Sequence, residues 1–157
     1  MPIPPGLEPA YRSLLKDMGL ALLSEIGARS IYDHLGRRAP QDELQRLLRQ
    51  LNVEGAESVA VLRELMLGMG GRPRRTSRRR RLLARMLAWL SVVIGRRIVL
   101  RVCLNAEQTV ARWYGEYALF LTRLDDTARA RTCEELRSVK LLHAGALEAW
   151  IGHMGRR

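Results

Sequence analysis

The chain has 157 residues, which is the size of one domain and is long enough to bury a hydrophobic core. Hydrophobic residues make up 47% of it and aromatic residues 5%, which is typical of packed helices and excludes a disordered chain. We therefore expect a single all-α domain. The formal net charge of +11 indicates a polyanionic partner, such as anionic lipid or nucleic acid.

The sequence shows no sign of export or of membrane insertion. Its N-terminus lacks a basic start followed by an apolar run, so no secretory signal is predicted. No stretch reaches the roughly 18 consecutive apolar residues of a spanning helix. Cys103 and Cys133 lie far apart in the sequence and are expected to be free thiols in a reducing compartment. We expect a cytoplasmic protein.

The first half of the chain predicts two helices. Apolar residues recur at three- and four-residue steps from about residue 8 to residue 35, and again from about residue 41 to residue 70. Gly36 is a stop signal for the first helix. Gly70-Gly71 ends the second, shortly before Pro73.

The second half predicts two more helices. The third is expected to begin within or just after an arginine run and to continue to about Phe120, with a kink or a close contact at Gly95. Asp125-Asp126 opens the fourth, because acidic residues suit a helix N-terminus. The predicted layout is an extension (1–10), a helical bundle (11–152) containing an Arg-rich segment (72–81), and a tail (153–157).

The two halves resemble each other. Glu25 and Tyr32 in the first helix have counterparts in Glu107 and Tyr114 in the third, and the two members of each pair are seven residues apart. That spacing places a glutamate and a tyrosine on one helix face, two turns apart. A doubled helical hairpin is the simplest account.

Polar pairs also interrupt the apolar stripes of the other two helices, Glu54 with Glu57 and Lys140 with His143. A buried carboxylate needs a cation, hydrogen-bond donors or a metal. In two-metal carboxylate bundles, two helices each give a glutamate and the other two each give Glu-x-x-His. This chain has that layout, except that Glu57 replaces one histidine and Lys140 replaces one bridging glutamate. The predicted metal ligands are Glu25, Glu54, Glu57, Glu107 and His143.

The string from Glu25 to Tyr32 resembles the first-helix signature of the demethoxyubiquinone hydroxylases, which are ferritin-like di-iron monooxygenases of ubiquinone synthesis. A further set of residues follows in an order similar to that family's third helix: Trp89, Gly95, Cys103, Ala106, Glu107 and Tyr114. The resemblance implies a ferritin-like four-helix bundle of two similar hairpins at a membrane, with oxygen and a quinol as substrates. It does not imply that hydroxylase activity is retained.

Lys140 changes the charge balance of such a site, because four carboxylates already neutralise two divalent metals. Three arrangements follow. Lys140 and His143 can pair with Glu54 and Glu107 in a metal-free polar core, or Glu25, Glu54 and Glu57 can hold one hard cation, or the centre can bind two metals and be active. Oxygen ligands suit manganese or magnesium as well as iron.

Two tyrosines are the candidate catalytic residues. Tyr32 and Tyr114 share faces with the glutamates, so each is either a redox participant or a hydrogen-bond partner of a buried carboxylate.

The positive charge is concentrated in segment 72–81, which carries seven arginines and leads into an apolar stretch. A basic patch beside an apolar helix start suits an anionic bilayer surface, so we expect peripheral binding at the inner face of the membrane. Nucleic acid is the weaker candidate, because no aromatic residues interleave with the arginines; a solvated charge run is the alternative. The predicted contact residues are Arg72, Arg74, Arg75, Arg78, Arg79, Arg80, Arg81 and Trp89.

These patterns predict a divergent ferritin-like protein related to the quinone hydroxylases. It is expected to be either a metal-dependent oxidoreductase acting on a membrane quinol, or an inactive relative that binds a quinone-like lipid, a membrane or a partner such as a second copy of itself. The metal content of the purified protein separates the two.

Overall fold

The computed structural model describes residues 6–73 and 95–154. This part of the chain forms four helices and no strand, namely α1 (Glu8–Gly36), α2 (Asp42–Gly68), α3 (Arg96–Arg123) and α4 (Thr127–Met154). The helices contain 27 to 29 residues, so each is about 40 Å long at about 1.5 Å per residue. The predicted all-α class is confirmed.

The helices form two hairpins, α1 with α2 and α3 with α4, and the closest packing lies within each hairpin. Between the hairpins, α1 packs against α3 and α2 packs against α4. α1 and α3 are antiparallel, since Tyr32 contacts Glu107 while Glu25, two turns earlier, contacts Tyr114. The end of α2 and the start of α3 therefore lie at opposite ends of the bundle.

Two apolar clusters fill the interior, one towards each end of the bundle, and every helix contributes to both. The first includes Met18, Leu62, Leu121 and Leu136. The second includes Leu35, Leu48, Leu100 and Leu147. Full burial of each such side chain contributes roughly 1.5–3 kcal/mol to folding. Cys103 and Cys133, expected to be free thiols, are free and buried.

The third helix differs from its prediction, because α3 begins at Arg96 and does not run continuously through Gly95. Gly95 has φ +86°, a left-handed conformation that glycine adopts readily and that interrupts a right-handed helix. The kink expected there is instead the start of the helix. The earlier part of the predicted third helix lies outside the described residues.

A glycine-dependent turn ends α2. Gly70 has φ +75°, and the amide of Gly71 donates a hydrogen bond to the carbonyl oxygen of Met66 at 2.8 Å. A Cβ atom at Gly71 would lie 2.8 Å from Leu15 Cδ2 and 2.9 Å from the Met66 carbonyl oxygen. The turn thus packs against α1 at a distance that admits no side chain.

We expect Gly71→Ala to lower the free energy of unfolding by about 1–3 kcal/mol, because the added methyl group overpacks the contact with Leu15. The matched control is Gly145→Ala in α4, where an added Cβ meets nothing within 4 Å. This change should raise stability by about 0.5–1 kcal/mol, since alanine favours the helix. Urea denaturation followed by circular dichroism measures both. Equal stability of the two variants would contradict the tight packing at Gly71.

Candidate functional site

A polar layer lies between the two apolar clusters, halfway along the bundle. Glu25 from α1 and Glu107 from α3 are each 2% exposed, and Lys140 and His143 from α4 are each 1% exposed. Each lies on the inner face of its helix, one to three turns from leucines of the core. Charges so deeply buried need partners inside the protein.

Lys140 is the centre of this layer. Its Nζ atom donates a hydrogen bond to Glu25 Oε2 at 2.6 Å and lies 3.2 Å from Glu107 Oε2. The first contact is aligned as a hydrogen bond, whereas the second is an ion pair without that alignment, since Glu107 Oε2 accepts no hydrogen bond. One ammonium thus faces a carboxylate from each hairpin. It also joins α4 to α1 across the diagonal of the bundle.

Each buried carboxylate also accepts a hydrogen bond from a tyrosine of the other hairpin. Tyr32 of α1 donates its hydroxyl hydrogen to Glu107 Oε1 of α3 at 2.5 Å. Tyr114 of α3 donates to Glu25 Oε1 of α1 at 2.9 Å. Each buried carboxylate therefore has a neutral donor on one oxygen and faces the Lys140 ammonium with the other. This accounts for the glutamate–tyrosine spacing repeated in the sequence.

His143 links the buried layer to the surface. Its Nε2 atom lies 2.8 Å from Glu54 Oε2, and its Nδ1 atom lies 3.4 Å from Glu107 Oε2. The Glu54 side chain is 36% exposed. Gln50, one turn earlier on α2, donates to Glu54 Oε1 at 2.8 Å, and this hydrogen bond is the main cause of the lowered pKa of the Glu54 carboxyl.

The two buried carboxyl groups differ in their pKa. Burial raises the pKa of Glu25, and the opposing attraction of Lys140 offsets only part of that effect. Burial also acts to raise the pKa of Glu107, but the nearby His143 imidazole, the charge of Lys140 and the hydrogen bond from Tyr32 outweigh it, so this pKa is lowered. Glu107 is thus the more firmly ionised carboxylate of the two.

Arg29 fixes the helices that carry Glu25 and Glu54, and sequence reasoning did not assign it this role. Its Nε atom donates to Asn52 Oδ1 at 3.1 Å, which joins α1 to α2. A Cβ on Gly55 would lie 3.0 Å from Arg29 Cγ, so the glycine gives this side chain its space. Gln50 was also missed, although its position one turn before Glu54 is a recognisable signal.

The structure does not place Glu57 in the polar layer. Its side chain is exposed and lines a surface groove together with Glu54 and Ser58. The reason is the direction of the α2 buried face, which follows Leu51, Gly55 and Ser58 and leaves Glu54 at its edge and Glu57 outside it. Arg72 is exposed just after α2. The other predicted membrane contacts, Arg74 to Arg81 and Trp89, lie outside the described residues.

The arrangement does not fit the two-metal centre that the family resemblance implies. Lys140 Nζ lies between Glu25 and Glu107, where an ammonium repels a divalent ion. The single-cation set of Glu25, Glu54 and Glu57 is not assembled either. Within residues 6–73 and 95–154, no group of three or more histidine, cysteine, aspartate or glutamate side chains is placed to hold a metal ion.

Comparisons of the chain with protein-family models, with curated proteins and with solved structures gave no match.

We expect Tyr32→Phe and Tyr114→Phe each to lower the free energy of unfolding by about 1.5–3 kcal/mol, because each removes a hydrogen bond to a buried carboxylate. Tyr117→Phe is the matched control. Tyr117 is also buried and packs edge-on against Tyr114, but its hydroxyl makes no hydrogen bond to another described residue. Its loss should cost under about 0.5 kcal/mol. Thermal and urea denaturation test this, and three equal losses would mean that the hydroxyls are irrelevant.

We expect Lys140→Met to lower the free energy of unfolding by about 3–5 kcal/mol, because it leaves Glu25 and Glu107 without their shared cation. Adding Glu25→Gln to this variant should restore part of the loss, since it removes one of the uncompensated charges.

The loss in Lys140→Met should also depend on pH. Lys140 lowers the pKa of Glu25, so its removal raises that folded-state pKa further above the unfolded value. A carboxyl group whose folded-state pKa lies above its unfolded-state pKa destabilises the protein as the pH rises through the interval between the two values. This destabilisation disappears at lower pH. The difference in the free energy of unfolding between the variant and the parent should therefore become smaller as the pH falls. A gap that is constant with pH would indicate a packing effect alone.

Proposed function

We propose that this chain is a divergent ferritin-like protein in which the ammonium of Lys140 supplies the positive charge that metal ions supply in di-iron relatives. In this proposal the protein is not a metal-dependent hydroxylase; it acts by binding a lipid or a partner. The observation that carries the proposal is the position of Lys140 Nζ, 2.6 Å from Glu25 and 3.2 Å from Glu107.

The topology supports the ferritin-like part of the proposal. Four-helix bundles of this class join two antiparallel hairpins through one long crossover between the second and third helices. The described helices pair as two hairpins, and the end of α2 and the start of α3 lie at opposite ends of the bundle. Glu25, Glu54, Glu107 and His143 come one from each helix at mid-height, as the ligands of a carboxylate-bridged centre do.

Charge counting supports the replacement of metal by lysine. Two ionised glutamates, Glu25 and Glu107, and one ammonium, Lys140, leave a single negative charge in the layer. The layer therefore comes within one charge of neutrality with its own side chains. A divalent ion could bind Glu25 or Glu107 only by displacing the ammonium that both carboxylates already face.

Metal content tests the proposal directly. We expect the parent protein, purified after expression with added iron and manganese, to contain neither metal in stoichiometric amount. Inductively coupled plasma mass spectrometry measures this content. Lys140→Glu should behave differently, because it restores a bridging carboxylate and removes the internal cation. This variant should be unstable alone and stabilised by a divalent ion, by about 2.7 kcal/mol at a concentration one hundred times its Kd.

Lys140→Met is the matched control for this experiment, since it loses the cation without gaining a ligand and should not respond to metal. Two equivalents of metal in the parent would overturn the proposal in favour of a metal-dependent oxidoreductase with Tyr32 and Tyr114 beside the centre. One equivalent would favour a mononuclear site. A Lys140→Glu variant that melts like the parent with or without metal would contradict the central position of Lys140.

A further inference from the structure

A groove with a volume of about 350 Å³ lies between α1 and α2, at the end of the bundle where α2 stops. It shares no residue with the polar layer around Lys140. Its lining is of two kinds. The apolar part is Leu15, Leu20, Leu23 and Met66, and the cationic part is Arg12, Lys16 and Arg72.

Small residues open this groove. Gly19 of α1 and Gly71 after α2 both line it. Because these residues have no side chain, the space between the helices stays open. The turn at Gly71, held by the hydrogen bond to Met66, also brings Arg72 to the rim. Leu20 remains 44% exposed, which leaves an apolar surface beside the charges.

The charges of the groove have one sign. Arg12 and Lys16 stand one turn apart on the same face of α1, and Arg72 faces the groove from the end of α2. All three side chains are exposed. No carboxylate is among the described residues that line the groove, so its cations are available to an anion.

From this combination we infer that the groove seats an anionic phospholipid of a bilayer, with its phosphate between Arg12, Lys16 and Arg72 and its first acyl carbons against Leu15 and Leu20. Basic residues beside exposed leucines bind at the boundary between headgroups and acyl chains. Single-stranded nucleic acid fits less well, because the lining has no aromatic residue for base stacking.

The inference names a partner class for the binding role proposed above and rests on that role. Membrane attachment at this groove involves no spanning segment, and within the described residues no helix is long and apolar enough to cross a bilayer. Because the groove and the polar layer share no residue, the vesicle-binding prediction and the metal-content prediction can be contradicted independently of each other.

Sedimentation of the full chain with vesicles tests the inference, using phosphatidylcholine vesicles with and without phosphatidylglycerol. We expect binding to the anionic vesicles only, and binding that weakens with salt. Arg12→Gln with Lys16→Gln should lower the partition coefficient roughly 30-fold, or roughly 5-fold for each basic residue removed from an anionic surface.

Arg46→Gln with Arg49→Gln is the matched control. It removes the same net charge from exposed positions on α2 that lie roughly 25–30 Å from Met66 along the helix axis. Charges that far from the docked groove are screened, so this variant should bind within roughly 2-fold of the parent. Equal losses for the two double variants would mean a net-charge effect and would overturn the inference.

A second pair of variants tests the apolar part of the groove. Leu20→Gln should lower binding to anionic vesicles roughly 5-fold, because it removes apolar area from the acyl boundary. Leu119→Gln, at a leucine of α3 that is 54% exposed, should leave it unchanged. Circular dichroism and melting temperature check that each variant is folded.

Competition identifies the anion that the groove takes. Inorganic phosphate at low millimolar concentration should not displace the protein from vesicles, and neither should a short RNA duplex at equal phosphate concentration. Displacement by phosphate would indicate a soluble anion as the ligand, and displacement by RNA would indicate a nucleic-acid site. Either result would overturn the assignment to lipid.

Discussion

The buried ammonium of Lys140 is the constraint on which the rest of the interior depends. A cation taken out of water costs several kcal/mol, and only well-placed anions recover that cost. Glu25 and Glu107 supply them, one from each hairpin, at 2.6 Å and 3.2 Å. The same argument applies in reverse to the glutamates, which could not be buried without the lysine. The hairpins are thus joined by charges that are stable only together.

The tyrosines make this junction specific for one register of the helices. Because Tyr32 donates to Glu107 and Tyr114 donates to Glu25, α1 and α3 can satisfy both carboxylates only when antiparallel and in one register. A shift of one helical turn would leave buried oxygens without donors, whereas leucines in the flanking clusters could repack at lower cost. We hypothesise that the polar layer selects the register while the apolar clusters supply most of the stability. The Tyr→Phe variants and their control separate these contributions.

The fold and most of the polar layer followed from periodicity, because Glu25, Glu107, Lys140 and His143 interrupt apolar stripes at inward positions. Periodicity could not place Glu57, since a residue at the edge of a stripe turns inward or outward by a small rotation of the helix. It also could not show that Gly95 starts a helix, because its φ depends on the surrounding chain. The sequence could not show which side chain pairs with each carboxylate, because side chains from different helices compete for the same carboxylate oxygens.

The polar layer and the surface groove differ in whether their charges are already satisfied. The ammonium of Lys140 faces two carboxylates, each of these carboxylates has a tyrosine donor, and His143 lies between Glu107 and Glu54. A ligand entering this layer would have to break contacts made in a water-excluded interior, where each is costly to lose. The cations of the α1–α2 groove face solvent beside apolar surface that is also exposed. A partner can therefore bind the groove without breaking contacts of the core, which is why we assign recognition to the surface and internal charge balance to Lys140.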